Sequence, residues 1–312
     1  MRKTIAMVAA LGILTALTAC SGNGTSQGCD TSIASGDASS VITAKGAFGS
    51  EPTVDFPTPI TTKTTQKTEL IAGKGAPLQA GQPILFEASL LNGADGAMID
   101  KTGYNGTKNL LTLGQATLSA LSHGLECSQV GARVAITSSV KEGGATGGTS
   151  ADGGAGSVVF VADIIKAFPA KADGAPQIPQ SGMPAVVLAP SGAPGITIPN
   201  ETAPKTLKLS VLQAGSGAKV ANGDTVVVNY TGVLWHDSSV FDSTWKKGQA
   251  AMFQLTTGSV IPGFQKGIVG YKVGSQVLLV VPPKDGYGQA GSGLVPANAT
   301  LVFVVDILGI AR

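Results

Sequence analysis

The residues of this chain that could take part in chemistry concentrate between Gly223 and Gly288. Aromatic side chains, one acid and a β-branched pair recur there between glycine-rich turns. The segment has no nucleophile beside a general base and no ligand spacing typical of a metal site. Side chains of this kind predict the wall of an apolar pocket, formed by Tyr230, Phe241, Asp242, Val260, Ile261, Phe264 and Tyr287.

Two other features of the sequence argue against cofactor chemistry. The two histidines, His123 and His236, lie far apart and at positions that do not correspond, so they predict neither a metal cluster nor a catalytic triad. The glycine-rich run 143–157 lacks a Gly-Lys-Ser/Thr ending and precedes a strand pattern, unlike a phosphate-binding loop. We expect no metal and no cofactor.

The elements that position these residues are predicted to be mostly strands. Charged residues make up 13% of the chain and 43 residues are glycine, which is typical of short strands joined by tight turns. Residues Thr225 to Tyr230 and Gln276 to Val281 are rich in β-branched side chains, and a short helix is predicted from Gly263 to Tyr271. The prediction is an α+β fold in which an antiparallel sheet curls over one short helix.

The chain repeats itself at an offset of 142 to 143 residues. Asp100 corresponds to Asp242 and Gly124 to Gly267, and the match persists over more than a hundred residues. The repeat predicts two domains, at 41–168 and 185–312. The joint between them, 169–184, contains four prolines and is predicted to be a semi-rigid linker.

The N-terminus has the pattern of an export signal. Arg2 and Lys3 precede an apolar stretch that is too short to span a bilayer, which predicts a cleaved signal peptide at 1–19. The sequence Leu-Thr-Ala-Cys ending at Cys20 resembles the bacterial lipobox, whose cysteine is lipidated. The alternative is an ordinary secretory signal. We expect residues 20–40 to be a lipidated, flexible tether that holds the protein on the extracytoplasmic side of the cell membrane.

Charge and cysteine content follow from this processing. Removal of Arg2 and Lys3 leaves 19 basic and 19 acidic residues, without the basic run that nucleic-acid binding requires. The two remaining cysteines, Cys29 and Cys127, are predicted to form a disulfide because the count is even in an oxidising compartment. Two free thiols are the alternative.

Five motifs of the second unit, in this order and spacing, resemble the FKBP family of peptidyl-prolyl cis-trans isomerases. They cover about the last 105 residues: Asn229-Tyr230-Thr231-Gly232, Val240-Phe241-Asp242-Ser243, Val260-Ile261-Pro262-Gly263-Phe264, Tyr287-Gly288 and Ala299-Thr300-Leu301-Val302-Phe303.

The resemblance implies an isomerase of X-Pro bonds in proline-containing polypeptides, with macrolides as possible inhibitors. It implies that the Ile261 N–H and the Tyr287 hydroxyl bind substrate carbonyls, with Asp242 as the polar edge of the pocket. It also assigns a set of apolar residues to the proline pocket: Tyr230, Phe241, Val260, Ile261, Phe264, Tyr287, Val295 and Phe303.

Two positions of the second unit depart from the family pattern. Phe264 stands where the family usually has tryptophan, and Ala251 stands where an aromatic residue is common. One wall is therefore expected to be thinner, and Trp245 is close enough in sequence to compensate.

The first unit keeps the frame but is expected to have lost the pocket. Ala88 corresponds to Tyr230 and Ile99 to Phe241. Thr117 and Leu118 stand for Val260 and Ile261, and Leu121 for Phe264. The alternative function is a non-catalytic extracytoplasmic chaperone or protein-binding lipoprotein built on the same fold.

Overall fold

The computed structural model describes residues 29, 33–104, 109–116, 118–143 and 156–311. The predicted signal peptide, Cys20, most of the tether, Thr117 and residues 144–155 lie outside this part of the chain.

The first unit forms a sheet of six described strands in which all pairs are antiparallel. The strand order is β3-β7-β8-β4-β5, and β6 also pairs with β4. In chain order the elements are α1 (Asp37–Ser40), β1 (Thr43–Lys45), β2 (Thr53–Asp55), β3 (Gln66–Ile71), β4 (Pro83–Asn92), β5 (Met98–Lys101), β6 (Asn109–Thr112), α2 (Ser119–Gly124), β7 (Arg133–Ser139), α3 (Val140–Gly143) and β8 (Ser157–Ala167).

The second unit forms a sheet of seven strands, again antiparallel throughout. Its order is β14-β13-β17-β16-β12-β9, and β15 also pairs with β13. The elements are β9 (Ala175–Pro176), β10 (Ala185–Leu188), β11 (Pro194–Thr197), β12 (Lys208–Ala214), β13 (Thr225–Leu234), β14 (Val240–Ser243), α4 (Thr244–Lys247), β15 (Ala251–Gln254), α5 (Pro262–Ile268), β16 (Gln276–Val281), a 3-10 turn (Pro283–Asp285) and β17 (Leu301–Ile310).

The sequence repeat is visible in these elements. Strands β4 and β13 begin 142 residues apart, and helices α2 and α5 begin 143 residues apart, so the extra residue of the second unit lies between β15 and α5. The strands predicted at Thr225–Tyr230 and Gln276–Val281 are confirmed, and the predicted helix runs from Pro262 to Ile268.

Glycines bring each short helix close to its sheet. A Cβ atom on Gly267 would lie 2.5 Å from Leu279 Cδ2, and one on Gly124 would lie 2.6 Å from Ile136 Cδ1. Because no other residue fits at these distances, the repeated glycine fixes the helix on the sheet. The second core thereby packs Phe264 and Ile268 of α5 against the strands.

The opposite face of each sheet is covered by a β-hairpin. Strands β1 and β2 pair in the first unit, and β10 and β11 pair in the second. Phe56 after β2 and Ile196 of β11 lie in the hydrophobic clusters on these outer faces. Strand β17 is buried along its whole length because both of its faces are covered.

Parts of two segments that were predicted to be a flexible tether and a semi-rigid linker belong to the folded structure. Helix α1 lies within the predicted tether, and its Ala38 N–H donates to Gln66 Oε1 at 3.0 Å. Within the predicted linker, β9 pairs with β12, and the Ala172 N–H donates to Asp306 Oδ2 at 2.9 Å. The segment 169–184, predicted to be a semi-rigid linker, is thus joined to the second sheet, because its backbone satisfies polar groups there.

A disulfide joins Cys29 to Cys127, next to the C-terminal end of α2. It ties the N-terminal tail to the first unit. Within the described residues we find no helix with the length and apolar character needed to cross a bilayer.

The two units contact each other where β6 approaches the start of β15. The Gln249 side chain accepts from the Thr112 N–H at 3.2 Å and donates to the Leu110 carbonyl at 3.1 Å. The Ala250 N–H donates to Thr112 Oγ1 at 3.0 Å. A small apolar cluster that includes residues of both units, among them Phe168, packs beside these bonds.

Candidate functional site

The second unit contains a cavity of about 130 Å³ between its sheet and α5. This volume is close to that of the ~150 Å³ engineered apolar cavities that hold a benzene ring. It suits one small apolar ring such as that of proline. The cavity is lined by Tyr230, Phe241, Asp242, Phe253, Ser259, Val260, Ile261, Phe264, Tyr287 and Phe303.

Five buried or half-buried aromatic rings form the inner wall. Phe264 meets Tyr230, Phe253 and Phe303 edge to face, with ring centroids 5.4 to 6.1 Å apart. Phe241 stands edge-on to Phe303 at 5.4 Å. Such edge-to-face contacts hold the rings at fixed angles, so the cavity persists without a ligand.

Strand β13 positions the Phe241 ring through a glycine. Gly232 lies directly opposite both Asp242 and Phe303 in the sheet. A Cβ on Gly232 would lie 2.5 Å from the Phe241 ring. The missing side chain therefore makes the space in which this ring packs. In the first unit Leu90 is the corresponding residue, so that space is not available there.

Helix α5 positions the floor and one rim of the cavity. Ile261 is the residue that precedes the first helical turn, and its carbonyl accepts from the N–H groups of Phe264 and Gln265. Pro262 occupies the first helical position, where a missing N–H costs nothing. Phe264, one turn inside the helix, is 4% exposed and forms the floor.

The acid of the site is held by two neighbours. Tyr230 donates its hydroxyl to Asp242 Oδ2 at 2.5 Å, and the Lys247 ammonium lies 2.5 Å from Asp242 Oδ1. Burial alone would raise the pKa of Asp242, but the hydrogen bonds from Lys247 and Tyr230 outweigh it, and the pKa lies below its ordinary value. Asp242 is therefore a carboxylate at neutral pH and cannot act there as a proton donor.

Neither tyrosine of the cavity ionises near neutral pH. Burial, followed by the bond to Asp242, raises the pKa of Tyr230 far above its ordinary value. Burial and the charge of Asp242 also raise the pKa of Tyr287. Tyr287 is 38% exposed, so its hydroxyl remains accessible at the mouth.

The structure brings together most of the residues singled out in the sequence, with one exception. Val295 does not line the cavity: it is 6% exposed and belongs to the hydrophobic core of the unit. Trp245 does not compensate for the smaller side chains of the cavity wall, because it lines a separate cavity between the two units.

Two lining residues were not identified from the sequence. Phe253 belongs to β15 and faces Tyr230 with ring centroids 5.9 Å apart. Its alternation with Ala251 along one strand could have indicated that it faces the same side. Ser259 lies in the turn before α5, where the sequence has no periodic pattern.

The first unit contains a cavity of about 230 Å³ at the corresponding place. It is lined by Ala88, Leu118, Leu121, Asp100 and Phe160 among others. The expectation that the first unit has lost its pocket is thus wrong in part: the space remains and Phe86 and Phe160 line it, but Ala88 and Leu121 stand where the second unit has Tyr230 and Phe264.

Comparisons with known proteins agree on one family. A profile of FKBP-type peptidyl-prolyl cis-trans isomerases matches residues 216–308. The "Probable FK506-binding protein" of Corynebacterium glutamicum is 40% identical over 115 residues, which are 37% of this chain and 96% of that protein. "FK506-binding protein 2" of Yarrowia lipolytica is 42% identical over 113 residues, covering 33% of this chain and 78% of that protein.

Among solved structures, FkpA from Escherichia coli is 35% identical, with 42% of this chain and 52% of that chain covered. Its TM-score of 0.32 is too low to carry an argument about the fold. The family assignment rests on the sequence relatives and on the profile, whose match includes every residue of the aromatic cavity. The chain therefore belongs to the family of FKBP-type peptidyl-prolyl cis-trans isomerases.

Proposed function

We propose that the aromatic cavity of the second unit is the active centre and isomerises X-Pro bonds of exported polypeptides. The observation that carries this proposal is the cavity itself, which has room for one small ring and apolar walls on its inner side. A fixed carboxylate, Asp242, and an accessible hydroxyl, Tyr287, stand at its rim. The Ile261 N–H and the Tyr287 hydroxyl are proposed to bind substrate carbonyls, and Val260 to form one wall.

The mechanism requires no bond to be made or broken. Rotation about an X-Pro bond must overcome amide resonance, a barrier of about 18 to 20 kcal/mol. Removing water from the carbonyl favours the twisted amide, because its charge separation is smaller than that of the planar form. A ten-thousandfold acceleration needs only about 5.5 kcal/mol of preferential binding to the twisted state. Apolar walls and one or two oriented hydrogen bonds can supply that amount.

Two further features belong to the proposal. The relatives are named for binding FK506, and the same apolar cavity is proposed to accept a macrolide of that kind. Each unit is proposed to be an FKBP-like domain whose sheet curls over a short helix, at 41–168 and 185–312, with the second domain extended backward to include β9.

The first unit is proposed to bind polypeptide without catalysis. Its cavity supports this role, because it combines apolar side chains with Asp100 and Lys101 but has no counterpart of the Tyr230 and Phe264 rings among the described residues that line it. An isomerase assay on a short X-Pro peptide separates the two functions. We expect activity in the whole chain and a loss of it when the second cavity is altered.

Lipidation at Cys20 is proposed to hold the protein at the extracytoplasmic face of the cell membrane. The motif ending at Cys20 supports this. Metabolic labelling with palmitate is expected to mark the wild-type protein and to be lost in Cys20→Ala. Labelling that persists in the variant would contradict the lipid anchor.

Replacing Asp242 by asparagine is expected to leave substantial activity. The carboxylate orients Tyr230 through a hydrogen bond, and in the proposed mechanism it neither donates nor accepts a proton. Because its pKa in the folded protein lies below the ordinary value, Asp242 stays ionised throughout the neutral range. Its contribution to stability is present above the unfolded pKa and is lost as the pH falls through the folded pKa.

The wild-type rate is therefore expected to be flat between about pH 6 and 8, without the bell shape of acid–base catalysis. We would measure kcat/KM against pH for both proteins, with circular dichroism as the folding control. If the Asp242→Asn variant is folded but has no turnover, the reaction depends on acid–base catalysis by Asp242, and the proposed mechanism is wrong.

Removing the hydroxyl of Tyr287 is expected to have a small effect. Tyr287→Phe keeps the ring at the mouth of the cavity and deletes one hydrogen bond to substrate, which costs about 1 kcal/mol, or about fivefold in kcat/KM. The KM for a fluorescent X-Pro peptide would be measured with the rate. A loss as large as that from deleting a wall ring would show that the hydroxyl, and not water exclusion, dominates.

A further inference from the structure

A buried ion pair lies on the outer face of the first sheet, at a position that has a counterpart in the second unit. Arg133 of β7 lies directly opposite Asp163 of β8 and is 0% exposed. Its Nε and Nη2 atoms donate to the two oxygens of the Asp163 carboxylate at 2.6 and 2.7 Å. This is the bidentate geometry that makes arginine–carboxylate pairs strong.

The loop of the β1–β2 hairpin completes the surroundings of this guanidinium. Arg133 also donates to the carbonyl oxygens of Gly46, Ala47 and Ser50, at 3.1, 2.9 and 3.4 Å. The guanidinium thus fills the space between the hairpin loop and Asp163.

In the second unit an aspartate again occupies the position of Asp163, but a glutamine stands in place of Arg133. Asp306 and Gln276 are the corresponding cross-strand neighbours in β17 and β16. Gln276 Nε2 donates to Asp306 Oδ1 at 2.7 Å, and the Ala172 N–H donates to Oδ2 at 2.9 Å. These two neutral donors leave lone pairs of the carboxylate unused.

A cavity of about 270 Å³ lies where the guanidinium lies in the first unit. Asp306 and Gln276 form its inner end. Its outer lining includes Leu188, Ala189 and Gly192, which correspond by the repeat to the three residues whose carbonyls bind Arg133. Leu188 at the end of β10 and Ala189 and Pro190 of the hairpin loop are exposed, so the outer end of the cavity reaches solvent.

Asp306 lacks the compensation that Asp163 has. It is 2% exposed, and burial raises its pKa above the ordinary value despite the bonds from Ala172 and Gln276 and the charge of Lys171. The Lys171 ammonium donates to the Pro190 carbonyl at 3.0 Å in an exposed position and makes no ion pair with Asp306. Buried carboxylates are normally paired with a cation.

We propose that this cavity is a binding site for a guanidinium group, the side chain of an arginine residue in a bound polypeptide, with Asp306 as its carboxylate partner. The site is separate from the active centre. Gln276 and Asp306 point to the same side of the sheet as Leu278 and Val304, because side chains alternate along a strand, and that side faces the β10–β11 hairpin. The aromatic rings lie on the other side.

The probe is ethylguanidinium chloride, added at concentrations too low to denature the mature full-length chain. We expect saturable changes in the amide NMR signals of Ala172 and Gly192. Ethylammonium carries the same charge without the planar fork, so it should bind at least about tenfold more weakly. Failure of wild-type protein to show saturable changes at either amide would overturn the proposal.

Variants of the site test whether binding occurs in this cavity. Gln276→Arg supplies the guanidinium from within, as Arg133 does, and should abolish binding and raise the midpoint of thermal unfolding. Asp306→Asn should weaken binding about tenfold or more, since a charge-assisted hydrogen bond is lost. Lys171→Met should tighten it, because a like charge is removed. Unchanged binding in Gln276→Arg would place the ion elsewhere and refute the site.

The polypeptide source is tested with a proline-free peptide that contains one arginine, against the same peptide with lysine. The arginine peptide is expected to shift the Ala172 signal and the lysine peptide is not. A site that accepts ethylguanidinium but neither peptide would contradict the polypeptide source. Because the peptides lack proline and the readout is binding, the result does not depend on isomerase activity.

Discussion

Replacing Phe241 by alanine is expected to lower kcat/KM about a hundredfold or more while the protein stays folded. The ring stands edge-on to Phe303 and packs over Gly232, so its removal opens the cavity beside the reacting amide. A hundredfold loss in kcat/KM corresponds to about 2.7 kcal/mol of transition-state stabilisation, and the deletion supplies it by removing the ring's contacts with the bound amide and by admitting water to the amide carbonyl. The ring is only partly buried, which spares the core.

The first unit offers a matched control for this variant. Ile99 is the residue that corresponds to Phe241, and it is 37% exposed and directly precedes Asp100, which lines the other cavity. Ile99→Ala should leave the isomerase rate unchanged. We would measure kcat/KM on an X-Pro peptide for the whole chain in both cases. A loss smaller than about fivefold in Phe241→Ala would mean that excluding water from the amide is not the source of the rate.

Replacing Arg133 by glutamine is expected to destabilise the first unit by about 3 to 5 kcal/mol, because it leaves the Asp163 carboxylate buried without its cation. The variant also frees the carbonyls of Gly46 and Ala47 and so loosens the β1–β2 hairpin. In urea the unfolding midpoint seen by circular dichroism should fall by about 2 M.

Tryptophan fluorescence provides an internal control, since Trp235 and Trp245 both lie in the second unit. Its transition should move much less than the circular dichroism signal, and isomerase activity in native buffer should be retained. Removing both partners, as in Arg133→Met with Asp163→Leu, should restore most of the lost stability, because apolar residues of similar size replace buried pairs at little cost. A midpoint shift below about 0.5 M in Arg133→Gln would contradict the assigned role of the pair.

The sequence was most informative where residue type and spacing act locally. The β-branched run at Thr225–Tyr230 predicted a strand, and spaced glycines such as Gly124 and Gly267 predicted the repeat of elements. The glycines repeat because close approach of helix and sheet excludes any side chain at both places. The aromatic residues of the cavity were identifiable for a similar reason, since each lies in a short motif of its own.

The sequence was least informative where a segment depends on partners far away in the chain. The proline-rich stretch at 169–184 reads as a spacer by composition, yet Ala172 and β9 bind to the second sheet through backbone hydrogen bonds that composition does not reveal. Val295 reads as a pocket residue by position, but the turn that carries it directs it into the core.

The hydrogen bonds of the Gln249 side chain affect how the two units would behave if the chain between them were cut. Among the described strands, β6 and β15 each pair with a single neighbour, so each has an edge that a strand from another molecule could join. In the intact chain the Gln249 amide bonds to both polar groups offered by Thr112 and Leu110, and the Ala250 N–H bonds to the Thr112 hydroxyl. The second unit therefore covers part of the outer edge of β6, and we expect proteolysis between the units to expose that edge to pairing with strands of other molecules.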